Sequence, residues 1–180
     1  MLHVRSGFAC ATLFVIAVGC GVAAGCGATA ASSKNPGLGS GSGSATEDPA
    51  TAISPVISKE ILAREPVANT ASIKHILIGW RELGDKPGGR VHERAAQRSK
   101  KDAEAEVTAL LEKLKAGADF DSVMKASSED EGSASIGKLF EVTPDAQLVI
   151  EFRQLGLRLN VGEIGVCESD FGFHIMKRYK

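Results

Sequence analysis

Few side chains in this sequence could do chemistry. His75 and His174 each stand among apolar residues, where an imidazole can transfer a proton or hold a hydrogen bond away from bulk water. An acidic run lies at 129–131, and Cys167 is the only thiol after the first 26 residues. We interpret Cys167 as a small buried hydrophobe, because its segment is apolar. No cluster has metal-ligand spacing, and there is no phosphate-binding loop or serine-hydrolase elbow.

The elements that must position these side chains lie between residues 69 and 180. An apolar, partly β-branched segment at 72–80 predicts a buried strand with His75 as its polar residue. Further elements are predicted along the chain: a helix opened by Ser99 with Asp102 three residues later and stopped at Gly117, a short helix capped by Asp119 or Asp121, a loop at 127–137, a strand at 138–142, a helix from Thr143-Pro144, and strands at 163–169 and 173–178 joined as a tight hairpin. The order β-α-α-β-α-β-β predicts an α+β fold, in which helices cover a small, mostly antiparallel four-stranded sheet.

Composition limits the number of domains and the class of partner. The chain has 180 residues, 43% hydrophobic and 24% charged, with a net charge of -1. This size fits one domain with a dependent segment, and the near-zero charge argues against nucleic-acid binding. We expect an export signal at 1–26, a flexible Gly/Ser-rich tether with a short pre-domain segment at 27–68, and one domain at 69–180.

The first 26 residues resemble a bacterial lipoprotein signal. An apolar run at 8–18 is too short to span a membrane comfortably, and small residues precede both Cys20 and Cys26. We favour Cys26 as the lipid-bearing residue, because the chain after it turns small and polar at once. Both sites lack the usual leucine three residues before the cysteine, so an uncleaved anchor or plain secretion stays open. Each alternative places the domain outside the cytoplasm.

Six short motifs carry a family resemblance over residues 71–179. They are Ile73–Ile78, Arg98–Ala103, Gly117–Phe120, Ser127–Ala134, Gly162–Ile164 and Phe171–Lys177. In this order they resemble the successive motifs of a parvulin-type (PpiC-like) peptidyl-prolyl cis-trans isomerase, and the signal and tether are similar to its exported lipoprotein branch.

The resemblance implies a set of catalytic residues. His75 and His174 match paired histidines on adjacent central strands, and their apolar neighbours favour a nearly dry, hydrogen-bonded pair. Asp130 falls where the family has an acidic or thiol residue, and with aspartate an electrostatic role is favoured over nucleophilic attack. Ser169 matches a hydroxyl that joins the same network.

The resemblance also implies a proline pocket. Its apolar walls would be Leu139, Phe152 and Phe171. The usual pocket methionine falls at Gln147 or Leu148, of which Leu148 makes better physical sense. Phe140 stands where the family has a second glycine, which implies a changed turn or added bulk. The segment 81–101 carries seven basic against three acidic residues and could read an acidic residue before proline, although a solvated loop is the simpler interpretation.

The resemblance implies isomerisation of X-Pro bonds in exported, unfolded or partly folded proteins, with a lipid anchor in the membrane. No covalent step and no cofactor are needed, because the barrier arises from amide resonance. The alternative is a non-catalytic, chaperone-like module that binds unfolded proteins in the same groove.

Overall fold

The structure is a computed structural model that describes residues 53–85 and 89–180. The predicted signal, both candidate lipid-bearing cysteines and most of the tether lie outside these residues. The described part contains these elements in chain order: α1 Lys59–Leu62, β1 Ala71–Ile78, a 3-10 turn Arg81–Asp85, α2 Glu93–Ala96, α3 Lys100–Lys115, α4 Phe120–Ser127, α5 Glu131–Ile136, β2 Phe140–Val142, α6 Ile150–Gly156, β3 Ile164–Ser169 and β4 Gly172–Arg178.

The four strands form one antiparallel sheet in the order β2-β1-β4-β3. The first and last strands therefore pair in its centre, with Leu77 opposite His174. β3 and β4 are joined by the two-residue turn Asp170-Phe171. The predicted α+β fold with a small antiparallel sheet is confirmed.

Side chains alternate across the two central strands and fill two cores. Ile76 and Ile78 of β1 face α3 and α4, in a core that also holds Phe173 and Ile175. Ile73 faces the opposite layer, where α1 and α6 cover the sheet with residues such as Ile61 and Leu155. Since His75 and His174 have the same parity as this second set on their strands, both imidazoles point toward α6.

Polar side chains cap the N-termini of α3 and α4, as predicted. Ser99 and Asp102 form a reciprocal capping box at the start of α3. Asp119, rather than Asp121, caps α4 by accepting the Ser122 N–H at 2.8 Å. These caps are local patterns, which explains why the sequence predicts them well.

Two other predicted boundaries are wrong. The segment 127–137, expected to be a loop, contains α5, which Asp130 caps and which ends at Gly137 in the left-handed region (φ 63°). α5 has six residues and few apolar ones, so it has no helical periodicity to detect. The helix expected from Thr143 begins only at Ile150, because the preceding seven residues form turns in which Thr143 Oγ1 bonds Asp145.

The packed structure begins well before residue 69. Ile61 is buried, and Ser58 bonds Val166 of β3 through both its N–H and its side-chain oxygen, at 3.0 and 2.9 Å. Arg64 Nη1 donates to both carboxylate oxygens of Glu163, each at 2.8 Å. We call residues 54–67 the N-terminal strap. It covers the outer edge of β3 and forms part of the fold.

In the part of the chain that the structure describes, no helix is both long and apolar enough to cross a membrane.

Candidate active site

The two central strands bring both histidines together beneath α6. The Nδ1 atoms of His75 and His174 lie 3.0 Å apart, and the rings are only 6% and 5% exposed. Phe152 of α6 meets both rings edge-on, with centroids 5.3 and 5.5 Å away. The expected dry, hydrogen-bonded imidazole pair is therefore what the strands form.

The pair is the middle of a longer hydrogen-bond chain. His75 Nε2 lies 3.1 Å from Asp130 Oδ2, and His174 Nε2 lies 2.7 Å from Ser169 Oγ. An ionised carboxylate only accepts, so His75 donates to Asp130. With one proton on each ring, His174 Nδ1–H donates to His75, and the Ser169 hydroxyl donates to His174. Ser169 Oγ in turn accepts the Phe171 N–H at 3.1 Å, so every bond donates in the same direction.

Burial sets the charge state of His174, and hydrogen bonds set that of Asp130. The pKa of His174 falls from 6.5 to about 3, chiefly because burial penalises the imidazolium and secondarily because His75 is near. The pKa of Asp130 is held well below its ordinary 3.8, first by the hydrogen bond with His75 and then by those with Ser133, against an opposing effect of burial. At neutral pH this hydrogen-bond chain thus contains a neutral His174 and an ionised Asp130.

Asp130 has two tasks that the sequence did not reveal together. Its Oδ2 binds His75, and its Oδ1 accepts the Ser133 N–H at 3.2 Å to cap α5. A single carboxylate thus orients the network and starts a helix. Its side chain remains 32% exposed, so it also faces solvent beside the histidines.

A pocket of about 430 Å³ opens over this network. Its lining includes His75, Asp130 and His174 together with an apolar wall of Leu77, Phe140, Leu148, Val149, Phe152 and Phe171. Phe171 projects from the hairpin turn and is 61% exposed, so it forms the rim of the pocket rather than part of the core. An apolar cleft with a few converging polar groups is typical of a binding site.

One residue expected in the pocket is not there. Leu139 is 45% exposed and lies outside the lining, whereas its neighbour Phe140 lines the pocket and meets the His75 ring edge-on at 5.1 Å. Strand alternation explains the exchange: Phe140 and Val142 face α6, so Leu139, one residue before β2, points away. Extending the alternation backward from Val142 would have identified Phe140 from the sequence. Gln147 and Leu148 both line the pocket.

Four of the seven basic residues at 81–101 have partners within the part of the protein that the structure describes. Arg81 pairs with Glu82, Arg94 donates to the Ser128 carbonyl at 2.8 Å, and Lys100 pairs with Glu168. Arg98 is buried in ion pairs with Glu106 and Glu129. These contacts favour the simpler interpretation, a structural and solvated segment.

Cys167 lies in the core of the fold. It is 1% exposed, its Sγ lies 3.7 Å from Met176 Sδ, and burial raises the pKa of its thiol to about 12. Such a thiol is inert as a nucleophile. Within residues 53–85 and 89–180, no three His, Cys, Asp or Glu side chains are grouped as a metal site.

Comparison with known proteins assigns this architecture to a family. A family model described as the PPIC-type PPIASE domain matches residues 57–179. The chain is 39% identical to Chaperone SurA of Alkalilimnicola ehrlichii over 77 residues, which are 42% of this chain and 18% of SurA. It is 38% identical to Foldase protein PrsA of Geobacillus kaustophilus over 73 residues, which are 40% of this chain and 25% of PrsA.

A solved structure confirms the fold. Peptidyl-prolyl isomerase ESS1 from Candida albicans matches with a TM-score of 0.52 at 19% identity, over 62% of this chain and 63% of that one. The matched segments make up 18% and 25% of these two curated relatives, so this chain spans a quarter or less of their length. Since the family match extends over more than half of the sequence, this chain belongs to the PPIC-type, or parvulin-type, peptidyl-prolyl isomerase family.

Proposed function

We propose that this protein is a peptidyl-prolyl cis-trans isomerase that acts on X-Pro bonds of protein clients. The observation that carries the proposal is the apolar pocket of about 430 Å³ directly above a buried histidine pair that is hydrogen-bonded to Asp130. The membership in the PPIC-type family supports the reaction. The names of the relatives, a chaperone and a foldase, support proteins as the clients.

The reaction requires twisting of an amide, and no bond to the enzyme. A planar X-Pro amide carries partial negative charge on its oxygen and partial positive charge on its nitrogen, and twisting removes both at a cost of about 18 to 20 kcal/mol. The twisted amide is therefore less polar than the planar one. An apolar pocket stabilises it relative to the planar amide, which loses its hydration on binding.

In this mechanism the proline ring lies against the apolar wall formed by Phe140, Leu148 and Phe152, and Phe171 covers it from the rim. Asp130 supplies a fixed negative charge at the pocket wall. Near the client carbonyl oxygen, this charge disfavours the planar amide, whose oxygen is the more negative, and so lowers the barrier. His75, His174 and Ser169 hold Asp130 and the pocket floor in place through their one-way hydrogen-bond chain.

We further propose that the protein acts outside the cytoplasm as a lipid-anchored enzyme. The apolar run at 8–18, the two cysteines after it and the Gly/Ser-rich segment that follows support export and anchoring. Metabolic labelling with a fatty acid should be lost in Cys26→Ser and retained in Cys20→Ser. Retention in the first and loss in the second would assign the lipid to Cys20, and absence of label from the unsubstituted chain would refute anchoring.

The activity is tested with the purified full-length chain. It should accelerate cis-trans isomerisation of an X-Pro peptide, and the proline-limited refolding of an unrelated protein, at substoichiometric concentration and without added metal or nucleotide. Phe171→Ala should raise KM, because it removes the exposed pocket rim. Val161→Ala is the matched control, since this side chain is 65% exposed and outside the pocket lining.

A folded chain that accelerates neither reaction would refute the proposal. If it only suppressed aggregation, and only at stoichiometric amounts, the chaperone-like binding module would replace the enzyme.

A further inference from the structure

A short connection between α4 and α5 is fastened along β1. β2 pairs with β1 only at residues 71–73. Farther along β1, Leu77 N–H donates to Ser128 Oγ at 3.1 Å, and Leu77 O accepts the Glu129 N–H at 2.9 Å. The connection thus takes the place of a strand beside the second half of β1. Asp130 is the next residue in the chain.

The side chain of Glu129 completes this attachment from inside the protein. It is only 2% exposed, and its Oε2 accepts the Gly79 N–H at 2.7 Å. Its other oxygen forms an ion pair with the buried guanidinium of Arg98. The space is tight, because a Cβ on Gly79 would lie 3.2 Å from Glu129 Oε2. The carboxylate therefore has one location, fixed by the backbone of β1 and by Arg98.

A buried ion pair is a weak source of stability, since desolvating both charges offsets most of their attraction. It does fix geometry, because a carboxylate held by a backbone N–H and a guanidinium has little freedom. Glu129 borders the pocket and directly precedes Asp130. Asp130 must place its carboxylate within hydrogen-bond distance of His75 Nε2. A displacement of about 1 Å in a catalytic group can cost two orders of magnitude in rate.

We propose that Glu129 is a positioning residue of the active site: held between the Gly79 N–H and Arg98, it keeps Asp130 on His75 and so sets the orientation of the histidine chain. This inference deepens the proposed isomerase function and rests on it. Glu129 touches no reacting atom in this account and acts through Asp130 alone.

Two substitutions test the role in the full-length chain. Glu129→Gln removes the charge opposite Arg98. Glu129→Asp keeps that charge paired but is one methylene too short to reach Gly79, so it carries the test even if the glutamine variant does not fold. The matched control is Glu106→Gln, because Glu106 is the other partner of Arg98 but sits half-exposed on α3, away from the pocket.

Two readouts are needed for each folded variant. We expect kcat/KM for an X-Pro peptide to fall about tenfold or more in both Glu129 variants and to stay within twofold in Glu106→Gln. The ring N–H proton of His75 that bonds Asp130 should give a slowly exchanging NMR signal, which should shift or vanish in the Glu129 variants and persist in the control.

The proposal is overturned if a folded Glu129→Asp keeps either the kcat/KM or the His75 ring signal of the unsubstituted chain. If the unsubstituted chain has no isomerase activity, the proposed function fails by itself. The NMR signal still decides whether Glu129 positions Asp130 in that case.

Discussion

Acid should destabilise this protein through His174 well before most carboxylates titrate. Its pKa is 6.5 in an unfolded chain and about 3 in the folded one. Between these values the unfolded state binds a proton that the folded state does not, so stability is fully present above pH 6.5 and falls as the pH drops. The slope is about 1.4 kcal/mol per pH unit, which makes the loss at pH 5 roughly 2 kcal/mol.

The assay is urea unfolding at several pH values, followed by the fluorescence of Trp80, the only tryptophan in the chain, which is buried against Phe173. The unfolding midpoint should fall between pH 7 and pH 5 with an unchanged denaturant slope. His174→Asn keeps an amide N–H for His75 and removes the titration, so its midpoint should fall by less. His92→Gln, outside the network, should behave like the unsubstituted chain.

The reasoning is refuted if His174→Asn loses as much stability between pH 7 and pH 5 as the unsubstituted chain does. In that case another group would carry the pH dependence. If the unfolding midpoint fell only at lower pH, the change would match Asp130 instead. Because the pKa of Asp130 is depressed, its contribution to stability is lost only when the carboxylate is protonated.

Three further predictions concern the cap, the pocket and the strap. Asp130→Ala should lower the free energy of unfolding by about 1 to 2 kcal/mol, because it removes the α5 cap, and it should also lower kcat/KM. Asp119→Ala removes the α4 cap outside the pocket, so it should reduce stability in urea titrations and leave kcat/KM unchanged. Equal activity of the two variants would contradict the site assignment. Phe140→Ala should reduce kcat/KM severalfold in the peptide assay, while Leu139→Ala should not, and the reverse order would place the pocket wall wrongly. A chain that lacks residues 1–68 should unfold at lower urea than one that lacks residues 1–52, because only the first loses the strap; coincident midpoints would show that the strap adds no stability.

Features with a local cause could be predicted from the sequence. His75 and His174 stood out because each is a polar residue among apolar neighbours in a predicted strand. The capping box at Ser99 is equally local, since Asp102 lies three residues away. The pairing of the two imidazoles needed the family resemblance, because 99 residues separate them.

Other features depend on tertiary contacts that no local pattern reveals. α5 exists because Asp130 caps it and the fold packs around it, although its own residues have weak helical periodicity. In the sequence Glu129 is one member of the acidic run at 129–131 in a predicted loop, and only its contacts with Arg98 and Gly79 in the structure show that its carboxylate is buried. The strap fell within the segment that the sequence analysis assigned to tether and pre-domain residues, because its partners Glu163 and Val166 lie about 100 residues later in the sequence.

Because β1 pairs with β4, the sheet forms from segments that lie far apart in the sequence. β1 and β4 form the centre of the sheet, and the strap closes on β3 across more than 90 residues of sequence. Helices α3 and α4 can form from local contacts, but the sheet cannot close until β4 is available to β1, about 100 residues farther along the sequence. Completion of the sheet therefore depends on contacts between residues far apart in the sequence, and we expect it to be slower than formation of the helices.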